Sequence, residues 1–182
     1  MIAYITSTNE INKILRNELI IQSELDPSQI RNSLSVNGEA LQKEIEKQIY
    51  ESIDHNDTLI LFELQTRDSV NDISLTTNDD NILYYKSYNF KLVLYGNDSI
   101  DTGNKITARF RSENVRNKLY DQGIYLESIS NPITINEFIN DTIWFRTDIN
   151  IYISCAYNIL PISKNDDIEN VSDLIILKNK GD

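Results

Sequence analysis

The sequence predicts an α+β domain, an antiparallel sheet with helices packed on one face, and three observations carry that prediction. Residues 144–159 show the cleanest alternation of the chain, with one face largely apolar and the other largely polar. Residues 82–95 alternate in the same way, while segments 8–24, 38–53 and 101–121 repeat apolar residues at helical spacing. Period two marks a strand that buries one face, and a spacing of three to four marks a helix that buries one stripe. The resulting order is helix, helix, strand, long strand, helix, short strand, long strand, which calls for one sheet with the helices layered against it.

The first helix, TNEINKILRNELIIQSE at 8–24, places Ile11, Leu15, Leu19 and Ile20 at helical spacing, with Thr8 or Asn9 positioned to cap its first turn. The Asp26-Pro27-Ser28 turn ends it, because the residue before proline is pushed out of the α region. In the second, GEALQKEIEKQIYESI at 38–53, Leu41, Ile45, Ile49 and Ile53 recur every four residues and the acidic positions form a solvated flank. TLILFELQ at 58–65 is a short β-rich run bounded by polar residues and predicts a strand. The polar stretch 67–81 predicts a loop.

The long strand ILYYKSYNFKLVLY at 82–95 turns Tyr84, Tyr88, Phe90, Leu92 and Leu94 to one face and Tyr85, Ser87, Asn89, Lys91 and Val93 to the other. Gly96-Asn97-Asp98-Ser99 turns the chain into a helix over 101–121, whose expected stripe is Ala108, Ser112, Val115 and Leu119 beside Ile106. Gly123 stands where a left-handed C-terminal cap belongs. GIYLESIS then supplies a short strand. In 144–159, Phe145, Thr147, Ile149, Ile151, Ile153, Cys155, Tyr157 and Ile159 share the face expected to be buried. Trp144, Arg146, Asp148, Asn150, Tyr152, Ser154 and Asn158 share the face expected to meet water or a partner. One domain over 1–160 and an acidic tail or docking segment over 161–182, containing VSDLIILKN, complete the organisation.

Size and charge narrow the function. A chain of 182 residues fits one domain, and an apolar fraction of 40% is close to the roughly 45–50% of globular proteins, so a packed core is affordable without staples. No run of 18 apolar residues is present and the amino terminus lacks a signal-peptide pattern, so folding in a cytoplasm is expected. A single cysteine permits no intrachain disulfide. The net charge of −11 opposes the counterion release that drives phosphate-backbone binding, which disfavours direct nucleic-acid recognition.

Catalytic and metal chemistry lack material. His55 is the only histidine and sits in a loop-like His-Asn-Asp, no G-x-S-x-G elbow is present, and Cys155 alternates into the apolar strand face. One Cys and one His do not make a zinc set, and Asn78-Asp79-Asp80-Asn81 lacks the spacing of a calcium loop. The five glycines form no phosphate-binding pattern. No catalysis, cofactor or metal is expected, and the work falls to surfaces. Trp144, Arg146, Asp148 and Tyr152, with Tyr85 and Lys91 from the other long strand, are the candidate interface residues, since Trp, Tyr and Arg concentrate binding energy. The competing expectation is an ordinary wet sheet face with Trp144 partly tucked under a loop.

Tyr95-Gly96 ending an aromatic strand, the helix from Ala108 to Leu119, Gly123-Ile124-Tyr125, and Trp144-Phe145-Arg146 leading into TDINIYISCAYNI follow one another in an order and spacing that resembles the bacteriophage tail-terminator or neck terminator family. The resemblance spans 82–159, and the amino-terminal half departs from it, leaving 38–53 and 67–81 as lineage-specific additions. It implies a structural virion protein forming a ring, usually hexameric, that caps the tail tube, ends its polymerisation and joins the tail to the head connector. The implied partners are further copies of the chain, the tail tube protein and the neck or connector protein. DNA would pass through the lumen without specific binding, and no membrane is involved. Assembly in the host cytoplasm and residence in the virion follow. Other readings open at this level are a different head–tail joining protein (stopper, adaptor or tail-completion protein) and a small soluble interaction module.

Overall fold

The computed structural model describes residues 4–32, 57–67, 74–76, 82–139 and 142–159. Helix α1 (Thr8–Ser23) leads through a 3-10 turn (Pro27–Gln29) into β1 (Ile30–Asn32), followed by β2 (Leu59–Thr66), β3 (Ser74–Thr76) and β4 (Ile82–Tyr95). Helices α2 (Ser99–Phe110) and α3 (Glu113–Asp121) precede β5 (Ile124–Ile129), β6 (Ile133–Ile139) and β7 (Thr142–Ile159). The expected helix 38–53, His55, the cluster at 78–81 and the tail 161–182 lie outside the described residues.

The strands form one seven-stranded sheet in the order β1-β2-β4-β7-β5, with β3 pairing β4 and β6 pairing β7. The α+β class holds, and the described helices pack on one face. The sheet is mixed rather than wholly antiparallel, because β1 runs parallel to β2, Ile30 opposite Ile60. A parallel connection needs a dozen or more residues, and the chain between these two strands is longer than that. Within the expected loop 67–81, Ser74–Thr76 pairs with β4 as β3. Ile5 adds a parallel bridge to Tyr157 beyond the end of β5.

The core lies between this sheet and the helices. Ile11, Leu15 and Leu19 of α1, Ile106 and Phe110 of α2, and Val115 and Leu119 of α3 pack on Phe62, Phe90, Leu92, Ile149, Ile151, Ile153 and Cys155. Burial of the Cys155 thiol pushes its pKa up to about 12, so it behaves as a small apolar side chain. Gly103 lets α2 approach β7, since a Cβ there would lie 3.1 Å from Thr147 Cγ2.

Local chemistry sets the helix ends. Ser7 caps α1 in place of Thr8 or Asn9, its hydroxyl accepting from the Glu10 amide, while the Glu10 carboxylate accepts from the Thr6 amide at 2.8 Å. The helix closes at Glu24, whose backbone is left-handed (φ 62). The Glu24 carboxylate accepts from Lys105 and from Arg109 Nη2 (2.5 Å), which ties α1 to α2 and holds this carboxyl below its usual range, Lys105 contributing most. Lys118 of α3 meets the buried Glu18 carboxylate of α1 at 2.5 Å.

The expected helix 101–121 is broken in two. Ser112 takes an extended backbone (φ −64, ψ 146), accepts from the Val115 amide and donates to the Arg109 carbonyl, so a serine read as part of an apolar stripe is instead the cap of α3. The break shifts the buried face of α2 to Gly103, Ile106, Thr107 and Phe110 and leaves Ala108 exposed. Gly123 has positive φ (78), as expected.

Strand β4 runs from Ile82 to Tyr95, and all of it pairs with β7, from Ile82 opposite Ile159 to Tyr95 opposite Arg146. The register buries Thr147, Ile149, Ile151, Ile153 and Cys155 as the alternation requires, but not Phe145, which is 43% exposed. Strand β7 is 18 residues long and β4 is 14, so Phe145 lies past the end of the ladder and beyond the helix layer.

Two substitutions test this architecture. Ile151→Asp places an unpaired charge in the centre of the core at a cost of several kcal/mol, comparable to a domain's total stability, and is expected to abolish cooperative thermal unfolding by circular dichroism. Gly96 has φ +124, and a Cβ there would lie 2.3 Å from the Asp57 carbonyl oxygen. Gly96→Ala is therefore expected to remove roughly 2–3 kcal/mol in urea denaturation, and an unchanged midpoint would contradict this turn geometry.

Candidate functional site

The sheet face opposite the described helices collects the residues that the sequence singled out. The ladder sets Tyr95 opposite Arg146, Val93 opposite Asp148, Lys91 opposite Asn150, Asn89 opposite Tyr152, Ser87 opposite Ser154 and Tyr85 opposite Ala156. Tyr85, Lys91, Arg146, Asp148 and Tyr152 therefore share one surface, each half-buried.

Arg146 anchors one end of it. Its Nε donates to Asp148 Oδ1 (2.7 Å) and its Nη2 to Oδ2 (2.9 Å), a two-point clasp, while Nη1 lies 3.5 Å from Glu137 Oε2. The Tyr95 hydroxyl donates to the same Glu137 oxygen at 3.0 Å. Asp148 above all holds the guanidinium pKa above its ordinary value, and burial, reinforced by Glu137, raises that of the Tyr95 phenol. The group thus joins β4, β6 and β7 at the point where the ladder ends.

The other end is built on Glu127, which sits at a register shift in β5, between Leu126 and Ser128. Its carboxylate pairs with Arg67 (3.2 Å) and accepts from Ser87 (3.3 Å) and Ser154. Arg67 also stacks over the Tyr152 ring, 4.6 Å from its centroid. Between the two ends Asn89 donates to Asn150 at 3.0 Å. Lys91, opposite Glu63 in register, makes no ion pair among the described residues.

Trp144 does not belong to this exposed set. It is 3% exposed and packs with Leu59, Leu61, Val93 and Tyr95 in a second apolar cluster. It points to the expected face, but β2 and the end of β4 supply enough apolar surface there to bury an indole.

Five exposed large apolar side chains cluster within 133–145, most of which the sequence reading assigned to no element. Strand β6 pairs with the free end of β7, Ile133 opposite Asp148 through Ile139 opposite Thr142, and the two make a hairpin arm extending past β4. Ile133, Ile135, Phe138, Ile143 and Phe145 on this arm are between 43% and 74% exposed, Phe138 the most. Ile133 and Ile135 continue the open polar face, whereas Phe138, Ile143 and Phe145 point to the helix side. The Gly96 amide donates to the Phe145 carbonyl at 3.1 Å, which fixes the base of the arm. The signal for β6 was present in ITINEFI, a β-rich run separated from the next strand by two polar residues.

Among the described residues no group of His, Cys, Asp and Glu side chains is placed to hold a metal ion. No described helix is long and apolar enough to cross a membrane. The arrangement is one of surfaces: a polar sheet face on which Arg146 and Arg67 are paired internally, and an apolar arm.

A family model described as phage neck terminator protein matches residues 54–182, a wider stretch than the 82–159 whose motifs carry the resemblance. A search of curated proteins found no match.

The pairing of Arg146 decides how the open face should be probed. Arg146→Glu removes the clasp and leaves three carboxylates facing one another, so it is expected to cost on the order of 2 kcal/mol and lower the melting temperature by several degrees. Lys91→Glu, which breaks no ion pair, is expected to leave the melting temperature within about 2 °C of wild type. Equal melting temperatures for wild type and Arg146→Glu would show that the clasp does not stabilise the fold.

Proposed function

The chain belongs to the phage neck terminator family, whose members are structural proteins of the head–tail joint, and from that premise we propose that it forms a ring of six subunits that caps the tail tube. The ring ends tube polymerisation and presents a surface to the head connector. Its partners are other copies of the chain, the tail tube protein and the neck or connector protein, and it is assembled in the host cytoplasm before entering the virion. The reaction performed is association, without catalysis.

The observation that carries this reading is the family match over 54–182, which takes in both long strands, α2, α3 and the arm. The geometry supports it. A closed ring needs two different surfaces on each subunit that meet by rotation, and no cleft for a substrate. The polar face with Tyr85, Lys91, Arg146, Asp148 and Tyr152 suits docking to the tube or the neck, since a surface of ordered hydrogen-bonding groups binds specifically without needing to be buried in the free subunit. Charge supports the lumen: six copies at −11 each carry about −66, which repels DNA phosphate as the genome passes.

Negative-stain electron microscopy and analytical ultracentrifugation of the purified chain are expected to show closed rings, and addition to growing tail tubes is expected to halt their extension. A chain that stays monomeric at high concentration and neither binds tube ends nor stops their growth would refute the proposal.

A further inference from the structure

The arm has a counterpart on the same chain. At the other end of β4 and β7, again on the helix side, Thr6, Ser7, Thr8, Tyr84, Lys86, Tyr88 and Tyr157 line a groove of about 310 Å³. Its floor is aromatic, with the Tyr88 and Tyr157 hydroxyls 2.6 Å apart and Lys86 over the Tyr88 ring. None of these seven residues is acidic, and the nearby Glu10 carboxylate is held by the Thr6 amide and hydroxyl, both at 2.8 Å. The arm is the converse: residues 133–145 contain Glu137 and Asp141 and no base, and their largest exposed side chains are apolar.

We propose that the arm of one copy, through Phe138, Ile143 and Phe145, docks in the tyrosine groove of the next, and that this contact, repeated, closes the ring. The inference rests on the ring reading and names the surfaces that make it.

Geometry makes the contact intermolecular. Phe145 and Tyr157 lie on one strand about 40 Å apart, taking ~3.3 Å per residue, so an arm cannot reach its own groove. Because the two surfaces differ, each copy offers one of each, and the contact is heterologous as ring closure requires. The area is a substantial part of an interface. The three helix-side arm side chains present on the order of 300 Å² of apolar surface, against the ~800 Å² that each partner contributes to a stable interface. Charge selects the site. Two copies at −11 repel, and the groove offers the arm the Lys86 cation, its neighbouring Glu10 carboxylate being already held by Thr6.

The test uses the full chain in sedimentation velocity and electron microscopy, with circular dichroism as the fold control. Phe138→Asp in the arm and Lys86→Glu in the groove are each expected to weaken self-association roughly 30-fold or more while leaving the dichroism spectrum native. Mixed one to one, the two variants are expected to form a dimer and stop there, because the mixture retains one intact arm and one intact groove. Should Phe138→Asp perturb the fold, Phe138→Ser and Tyr84→Ser are milder replacements at the same surfaces. Rings that persist in the arm variants overturn the arm's role and leave the ring reading standing. Rings lost in the arm variants but kept in the groove variants overturn the groove as receiver, as does a mixture that stays monomeric. A wild-type chain that forms no ring overturns both this inference and the reading beneath it. Wild-type monomers that bind tube ends through Phe138 would assign the arm to the tube instead of a second copy.

Discussion

The antiparallel ladder between β4 and β7 is the constraint on which the rest of the structure depends. Every residue of β4 has a partner on β7, and a slip of one residue would turn Phe90, Leu92, Ile149 and Ile151 to solvent and bring Lys91, Asn150 and Tyr152 into the core. The register is thus held by burial along its whole length. Once it is set, the two sheet faces have fixed membership: one accepts the three described helices, and the other carries Arg146, Asp148, Tyr152, Tyr85 and Lys91 as neighbours. The arm also follows from it. Strand β7 outlasts β4 by four residues, Thr142 through Phe145, and only β6 pairs with that overhang.

What the sequence made legible follows from the same ladder. Strand β4 has the bounds that its alternation predicts, and the buried face of β7 is correct from Thr147 to Cys155, because a long period-two pattern has one interpretation when one face packs. The pattern does not say where the partner strand stops. Phe145 alternates in phase with Ile149 and Ile151, yet it lies beyond Tyr95 and is exposed. Trp144 fails in the opposite direction, since its polar strand neighbours hide the apolar Leu59, Leu61 and Val93 that adjacent strands bring beside it. Both failures concern pairing at long range, which a single strand's periodicity does not contain.

The helix break at Ser112 and the cap at Ser7 were hidden for a local reason. Serine in a helical window can be read as a small residue on a packed face or as a side-chain acceptor for the next turn's amides, and the two differ only in backbone geometry. At Ser112 the acceptor role prevails, so the stripe is rotated and Ala108 is left in solvent. Of the candidate surface, all six expected residues share one face because alternation placed them there, and five of them reach solvent. The apolar arm was not found, since a hairpin exposed on both sides lacks the alternation of buried and exposed side chains by which strands are recognised.

The division between paired charge and exposed apolar surface bears on how such a subunit associates. Arg146 is already held by Asp148 and Glu137, and Arg67 by Glu127 and Tyr152, so a partner meeting this face exchanges few unpaired charges and gains orientation more than energy. The arm presents the opposite balance. Phe138, Ile143 and Phe145 contribute nothing to the described core, so covering them is net gain, and that gain is needed when both partners carry the same large negative charge. Fold stability therefore resides in the ladder and the helix layer, while in the proposed ring the strength of association would come from the overhang. The residues best placed to hold copies together are those the monomer can change without unfolding.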